Sequence, residues 1–294
     1  MKRFEGAITA MVTPFSQNGE VDYGGLRNNV RFQIKEGISG LLPLGTTGET
    51  PTLSAEEKEK VAKAVIEEAG GKVPVLVGTG SYSTKTTIEQ TKKAKELGAD
   101  AALIVSPYYN KPAQEGLYLH FKSVAESVDI PIIIYNIQGR TGVNIETGTL
   151  LRLSSIKNII GVKEASGNIN QMMDVINQLP KDFVVLSGDD SLTLPLMSLG
   201  GRGVISVVSN LLPKKVSRMV ELYLEGKTEE AKKLHYELLP LFRAAFIETN
   251  PMPIKAAMSI CGMPAGKCRL PLCDLQPQNE EKLKNVLVKM GLVK

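Results

Sequence analysis

The sequence predicts an α/β protein, a (β/α)8 TIM barrel carrying a small all-α extension at its C-terminus. Three observations predict it. Short β-branched apolar runs alternate with longer stretches of helical periodicity, and eight such alternations fit within residues 1–226. The runs are apolar almost throughout, as parallel strands covered on both faces are. No G-x-G-x-x-G follows the first run, which disfavours an open doubly wound sheet with a dinucleotide-binding turn.

The strands are expected at "GAITAMVT" (6–13), "GLLPLG" (40–45), "VPVLVGTG" (73–80) and "AALIVSP" (101–107). Four more follow at "PIIIYN" (131–136), "IIGVKEA" (159–165), "FVVLSGDD" (183–190) and "GVISVVS" (203–209). Helical stretches lie between them. That at 54–69 opens on a Ser54 cap and stops at Gly70-Gly71, and that at 83–97 is capped by Ser83 or Thr84 and closed by Gly98. Beyond this point the strand pattern ends: segments 227–246, 252–261 and 278–290 read as helices, so residues 227–294 are assigned to the extension.

Composition narrows the function. Of 294 residues, 43% are hydrophobic and 22% charged, an ordinary soluble balance. The net charge of +4 is spread over runs of mixed sign such as "EEKEK" and "KTEEAKK", with no one-signed stripe, so a nucleic-acid partner is not expected. The N-terminus lacks the pattern of a signal peptide, and no apolar run approaches the ~20 residues of a membrane helix. Cys261, Cys268 and Cys273 are odd in number and lack metal-ligand spacing, so reduced thiols in a cytoplasmic protein are expected. His120 and His235 are the only histidines and fall in amphipathic helical stretches, which leaves no material for a histidine-rich metal site.

Catalytic groups of such a barrel project from the carboxyl ends of its strands. The second strand runs into "GTTGET", the fourth into "SPYYNKP", the fifth into "YNIQGRTG", the sixth into "KEASGN", the seventh into "SGDD" and the eighth into "ISVVSN". These ends collect one lysine, the hydroxyls of Thr46, Thr47, Tyr109 and Tyr135, and Arg140. The carboxylates Glu49, Glu164, Asp189 and Asp190 have no histidine company and no ligand spacing, so no metal is expected, and Asp189-Asp190 reads as a helix cap.

Lys163 is the residue that needs a reason, because lysine is rarely buried without a partner. Period-two alternation puts it on one strand face with the small Gly161 and Ala165, while Val162 and Glu164 face the helices. An ammonium in an apolar pocket loses basicity, and the free amine then attacks a carbonyl to form an imine. Tyr135, on the next strand at the same height, is placed to move protons for that chemistry, and Thr hydroxyls can share the task. "GTTG" offers a cradle for a carboxylate and Arg140 a bidentate grip on a second one. Without these neighbours, a buried Lys–carboxylate pair, a core tyrosine and an unpaired surface arginine are the alternatives.

Taken together and in order, "GTTGE", "SPYYNKP", "YN…RTG", "GVKEASGN", "LSGDD" and "GVISV" resemble the dihydrodipicolinate synthase / N-acetylneuraminate lyase family of pyruvate-dependent class I aldolases, along the whole chain. The resemblance implies that Lys163 forms a Schiff base with pyruvate, with no other cofactor, and that Thr46, Tyr109 and Tyr135 form a proton relay. It implies that Thr47 holds the pyruvate-derived carboxylate, with Gly188 and Ile205 lining the site, and that Arg140 binds the second substrate. It further implies that Tyr109 reaches into a neighbouring subunit of a homotetramer built as a dimer of dimers. The double threonine and "RTG" resemble the branch that condenses pyruvate with L-aspartate 4-semialdehyde, toward diaminopimelate and lysine. The usual "YNVPSRTG" is "YNIQGRTG" here, so the absent proline leaves the Arg140 loop freer. At the effector site of lysine-inhibited members, Ala55, Lys58 and Thr86 replace the expected polar set, so lysine feedback is expected to be weak or absent.

Three other readings compete: another pyruvate aldolase of the family acting on neuraminate or a 2-keto-3-deoxy sugar acid, a non-catalytic barrel that keeps a small-acid pocket, and a phosphate-binding barrel isomerase. The last leaves the lysine of the sixth strand unexplained.

Overall fold

A computed structural model of the chain describes residues 4–294. Eight strands form one parallel sheet: β1 (Gly6–Ala10), β2 (Gly40–Leu42), β3 (Leu76–Gly78), β4 (Ala101–Val105), β5 (Ile132–Asn136), β6 (Ile159–Glu164), β7 (Val184–Ser187) and β8 (Gly203–Ser206). Their spatial order is β2-β1-β8-β7-β6-β5-β4-β3, and a parallel bridge between Leu41 and Val75 joins the two ends. The barrel is therefore closed, and the sheet has no free edge to protect.

The helices on the outside are α1 (Tyr23–Lys35), α2 (Ala55–Ala69), α3 (Thr84–Glu96), α4 (Gln114–Ser127), a single turn α5 (Gln138–Thr141), α6 (Thr147–Ser154), α7 (Ile169–Gln178), α8 (Thr193–Ser198) and α9 (Pro213–Leu224). The caps follow the sequence expectation. Ser54 and Glu57 exchange bonds in a capping box at α2, whose far end closes on Gly70 in the left-handed conformation. Ser83 accepts from the backbone of Thr86 at α3. His120 and His235 are buried within α4 and the extension, and His120 Nδ1 lies 2.9 Å from the Thr84 hydroxyl.

Every strand lies inside its expected run, and all but β5, which ends at Asn136 as expected, are shorter at the carboxyl end. The reason is visible at β7: Gly188, Asp189 and Asp190 leave the ladder to enter a 3₁₀ turn over Asp190–Leu192. Residues past the last paired strand position belong to the mouth of the barrel, where the site lies.

Alternation along the strands separates two cores. Ile8, Leu42, Leu76, Leu103, Ile133, Tyr135, Leu186 and Ile205 fill the barrel interior. Ala102, Ile104, Ile132, Ile134, Val162 and Val185 face outward and pack under the helices. Each Val, Leu and Ile among them contributes about 1.5–3 kcal/mol on burial. Between β5 and β6 the register shifts, so that Ile132 pairs Ile159 but Ile133 pairs Gly161. This bulge re-aims the rest of β6, so that Gly161 and Lys163 face inward. Gly161 has no alternative, since a Cβ there would lie 2.4 Å from the Val184 carbonyl oxygen.

After α9 come α10 (Thr228–Ala244), α11 (Met252–Ile260) and α12 (Pro277–Lys289). Leu238, Leu241, Ile254, Leu283 and Leu287 of these helices share one core with Leu26 and Val30 of α1 and Val61 and Val65 of α2. Among the described residues no helix is long and apolar enough to cross a membrane.

Candidate active site

Tyr135 and Lys163 are register partners on β5 and β6, so their side chains enter the barrel mouth side by side. The Lys163 ammonium nitrogen sits 4.1 Å from the centroid of the Tyr135 ring, and the residue is only 5% exposed. Burial pushes the Lys163 amine down to about 7; the field of Asp190 opposes this shift, and Arg140 adds to it. Burial also pushes the Tyr135 phenol up to about 12, against the pull of Arg140 and a hydrogen bond with Thr46. The phenol is therefore protonated, next to an amine poised near neutrality. Such a pair can act as a nucleophile beside a proton donor.

Space around the amine is made by glycine. A Cβ at Gly188 would stand 3.0 Å from Lys163 Cε and 2.6 Å from Ala165 Cβ. Ile205 on β8 forms part of the apolar interior below the amine, in the same cluster as Tyr135 and Leu186. Glu164, as its neighbour in the strand, points the other way. It accepts from the Asn136 side chain at 3.2 Å and from the Ser166 backbone at 2.7 Å, which ties the ends of β5 and β6 together beneath the mouth.

The "SGDD" turn corrects the expectation that both aspartates cap a helix. Asp189 does so, accepting from Ser191 backbone and hydroxyl at 2.8 and 2.7 Å. Asp190 is buried and accepts through Oδ2 from the backbone of Val207 and Val208 at 2.9 and 3.2 Å. Burial raises its carboxyl to about 6. One cap needs one carboxylate, so the second aspartate was the available signal in the sequence.

The "GTTGET" stretch forms two consecutive 3₁₀ turns, Thr46–Gly48 and Thr50–Thr52, hinged on Glu49 at φ 53°. A non-glycine residue in the left-handed region persists only where its surroundings hold it. The holding groups come from the far end of the chain. Glu49 Oε1 meets the Lys255 ammonium at 2.6 Å, both residues being buried, and Glu49 Oε2 accepts from the Arg269 backbone at 2.9 Å. Lys255 also donates to the carbonyls of Thr13 and Lys267. Sequence reading noted Glu49 but had no means to find its partner.

Thr47 is buried in this turn, and Thr46 is half-buried beside Tyr135. Arg140 lies in the single turn α5, closed by Gly142 in the left-handed conformation, so Gln138-Gly139 form a helical turn there. Its Nη2 donates to the Asn250 carbonyl at 3.1 Å, while the residue as a whole stays exposed. Tyr109 is the residue that the fold does not bring in. It is 92% exposed, at φ 72°, and follows Tyr108, which meets Tyr82 edge to face.

Among the described residues no group of His, Cys, Asp or Glu could hold a metal ion, and all three cysteines are free thiols.

A model of the dihydrodipicolinate synthetase family matches residues 3–290. The 4-hydroxy-tetrahydrodipicolinate synthase of Protochlamydia amoebophila is 52% identical over 286 residues, which is 96% of this chain and 95% of that protein. Among solved structures, dihydrodipicolinate synthase from Aquifex aeolicus superposes with a TM-score of 0.96 at 49% identity, over 98% of this chain and 99% of that one. The enzyme of the same name from Acinetobacter baumannii, complexed with pyruvate, gives a TM-score of 0.97 at 43% identity over 99% and 100% of the two chains.

Proposed function

The chain belongs to the dihydrodipicolinate synthetase family, and from that premise we propose that it condenses pyruvate with L-aspartate 4-semialdehyde to 4-hydroxy-tetrahydrodipicolinate, toward diaminopimelate and L-lysine. The observation that carries this reading is a lone lysine amine, buried inside the barrel mouth and held near neutrality, against the face of a protonated tyrosine.

The Lys163 amine attacks C2 of pyruvate, and the carbinolamine loses water to give a protonated imine. Loss of a proton from C3 leaves an enamine, with the imine nitrogen as electron sink, so no cofactor is needed. The enamine adds to the aldehyde carbon of the second substrate. Its amino group then displaces the lysine at C2, closing the ring and freeing Lys163. Tyr135 and Thr46 relay the protons. Thr47 holds the pyruvate carboxylate, and Arg140 grips the carboxylate of the amino aldehyde.

Tyr109 completes the relay only if it reaches the mouth of another subunit. Its exposure and its strained backbone favour that role, so we assign the chain to a homo-oligomer, a dimer of dimers. Sedimentation at assay concentration is expected to report a tetramer, and a fully active monomer would remove Tyr109 from the mechanism.

Trapping tests the chemistry. Pyruvate with cyanoborohydride is expected to inactivate the enzyme and add a single reduced adduct, located at Lys163 by peptide mapping. Only the free amine reacts, and Lys163 holds its proton below about 7, so the trapping rate should climb with pH through that value and level off above it. A label on another lysine, or a rate independent of pH between ~5.5 and ~9, would sink the assignment.

A further inference from the structure

Asn250 lies in the segment between α10 and α11, more than a hundred positions from either residue it holds. It is buried, and its side-chain amide and its backbone carbonyl each reach a residue of the site. Its side-chain Nδ2 donates to Thr47 Oγ1 at 3.0 Å. Its backbone carbonyl accepts from Arg140 Nη2 at 3.1 Å. Its Oδ1 is enclosed and has no hydrogen-bond partner among the described residues.

We infer that Asn250 is the positioning residue that orients both carboxylate grips of the site, Thr47 through its side-chain amide and Arg140 through its carbonyl. The inference rests on the roles given above to those two residues. A hydroxyl has one hydrogen and two lone pairs. Because the amide N–H occupies a Thr47 lone pair, the Thr47 hydrogen remains available to a carboxylate. An acceptor in place of that amide would take the hydrogen for itself. Arg140 spends one of its five N–H groups on the carbonyl, which fixes the plane of the guanidinium and leaves the others for the second carboxylate. The amino aldehyde and the keto acid are thus aligned by one side chain and one peptide group of the same residue.

The test compares wild type, Asn250→Ala and Asn250→Asp in steady state, varying pyruvate and the semialdehyde separately, with folding followed by circular dichroism. Asn250→Asp keeps the shape of the side chain but reverses its polarity towards Thr47. It is expected to raise the KM for pyruvate by roughly 30-fold or more, and Asn250→Ala by roughly tenfold, with kcat changing less than threefold in either variant. In a Thr47→Val background the alanine change should add less than a further twofold, since the amide then has no hydroxyl to orient. An unchanged pyruvate KM in a folded variant overturns the inference. So does an equal effect in the Thr47→Val background, or a loss of native fold in both variants, which would make the side chain a support of the fold alone. A wild type that does not consume the two substrates would instead overturn the proposed reaction.

Discussion

Replacing Lys163 with alanine is expected to lower kcat by roughly 10⁴-fold, about 5 kcal/mol of barrier at 1.36 kcal/mol per decade. In the proposed mechanism the lysine supplies the covalent electron sink, from its place against the Tyr135 ring. Lys163→Arg should fail to the same degree, because a guanidinium stays protonated and has no lone pair to offer. That variant separates the two physical roles open to a buried cation. A lysine whose task was to neutralise Asp190 would be replaced by arginine with partial success, whereas a nucleophile would not. Stability should move the other way. The barrel mouth disfavours the charged amine, so Lys163→Ala is expected to melt at or above the wild-type temperature. Turnover by Lys163→Ala within tenfold of wild type would end the imine mechanism.

The second large effect is expected at the buried ion pair behind the Thr46–Thr47 turn. Lys255→Met leaves the Glu49 carboxylate buried without its ammonium and should cost about 3–5 kcal/mol in urea denaturation, the usual range for breaking one partner of a buried pair. That is a large share of a typical domain's stability. The double variant Glu49→Gln/Lys255→Met leaves no charge behind and still offers an acceptor to the Arg269 N–H, so it should recover most of the loss. The pair also carries the turn that bears Thr46 and Thr47. The single variant should therefore raise the pyruvate KM, and the double variant should lower it again. A loss below about 1 kcal/mol for Lys255→Met would show that water reaches the carboxylate once the ammonium that buries it is gone.

Much of this protein was legible from local pattern. The eight apolar runs gave eight strands in the expected places, because a strand buried on both faces leaves a mark in every one of its residues. The period of two along β6, together with the register of neighbouring parallel strands, was enough to put Lys163 and Tyr135 inside the mouth side by side. Gly161 and Ala165 were legible as the room around the amine, and Gly188 came from the family resemblance; in the structure a Cβ at Gly188 would meet Lys163, whereas one at Gly161 would strike the Val184 carbonyl. The direction of the Lys163 shift followed from burial alone.

What escaped the sequence has a common cause. The roles of Asp189 and Asp190 divide according to what lies beside each: Asp189 meets Ser191 in its own turn, whereas Asp190 meets the Val207 and Val208 amides that follow the neighbouring strand β8. Glu49 and Lys255 stand 206 positions apart, and Thr47 and Asn250 stand 203 apart. No periodicity spans such distances, since each member of these pairs looks locally like an ordinary turn glutamate, helix lysine or loop asparagine. The sequence by itself determined which residues face inward and which chemistry they can perform, because side-chain direction is a property of neighbouring residues. Only the tertiary structure decided which distant groups lock those residues in place, because closing the barrel and docking α11 bring together atoms that the chain keeps far apart.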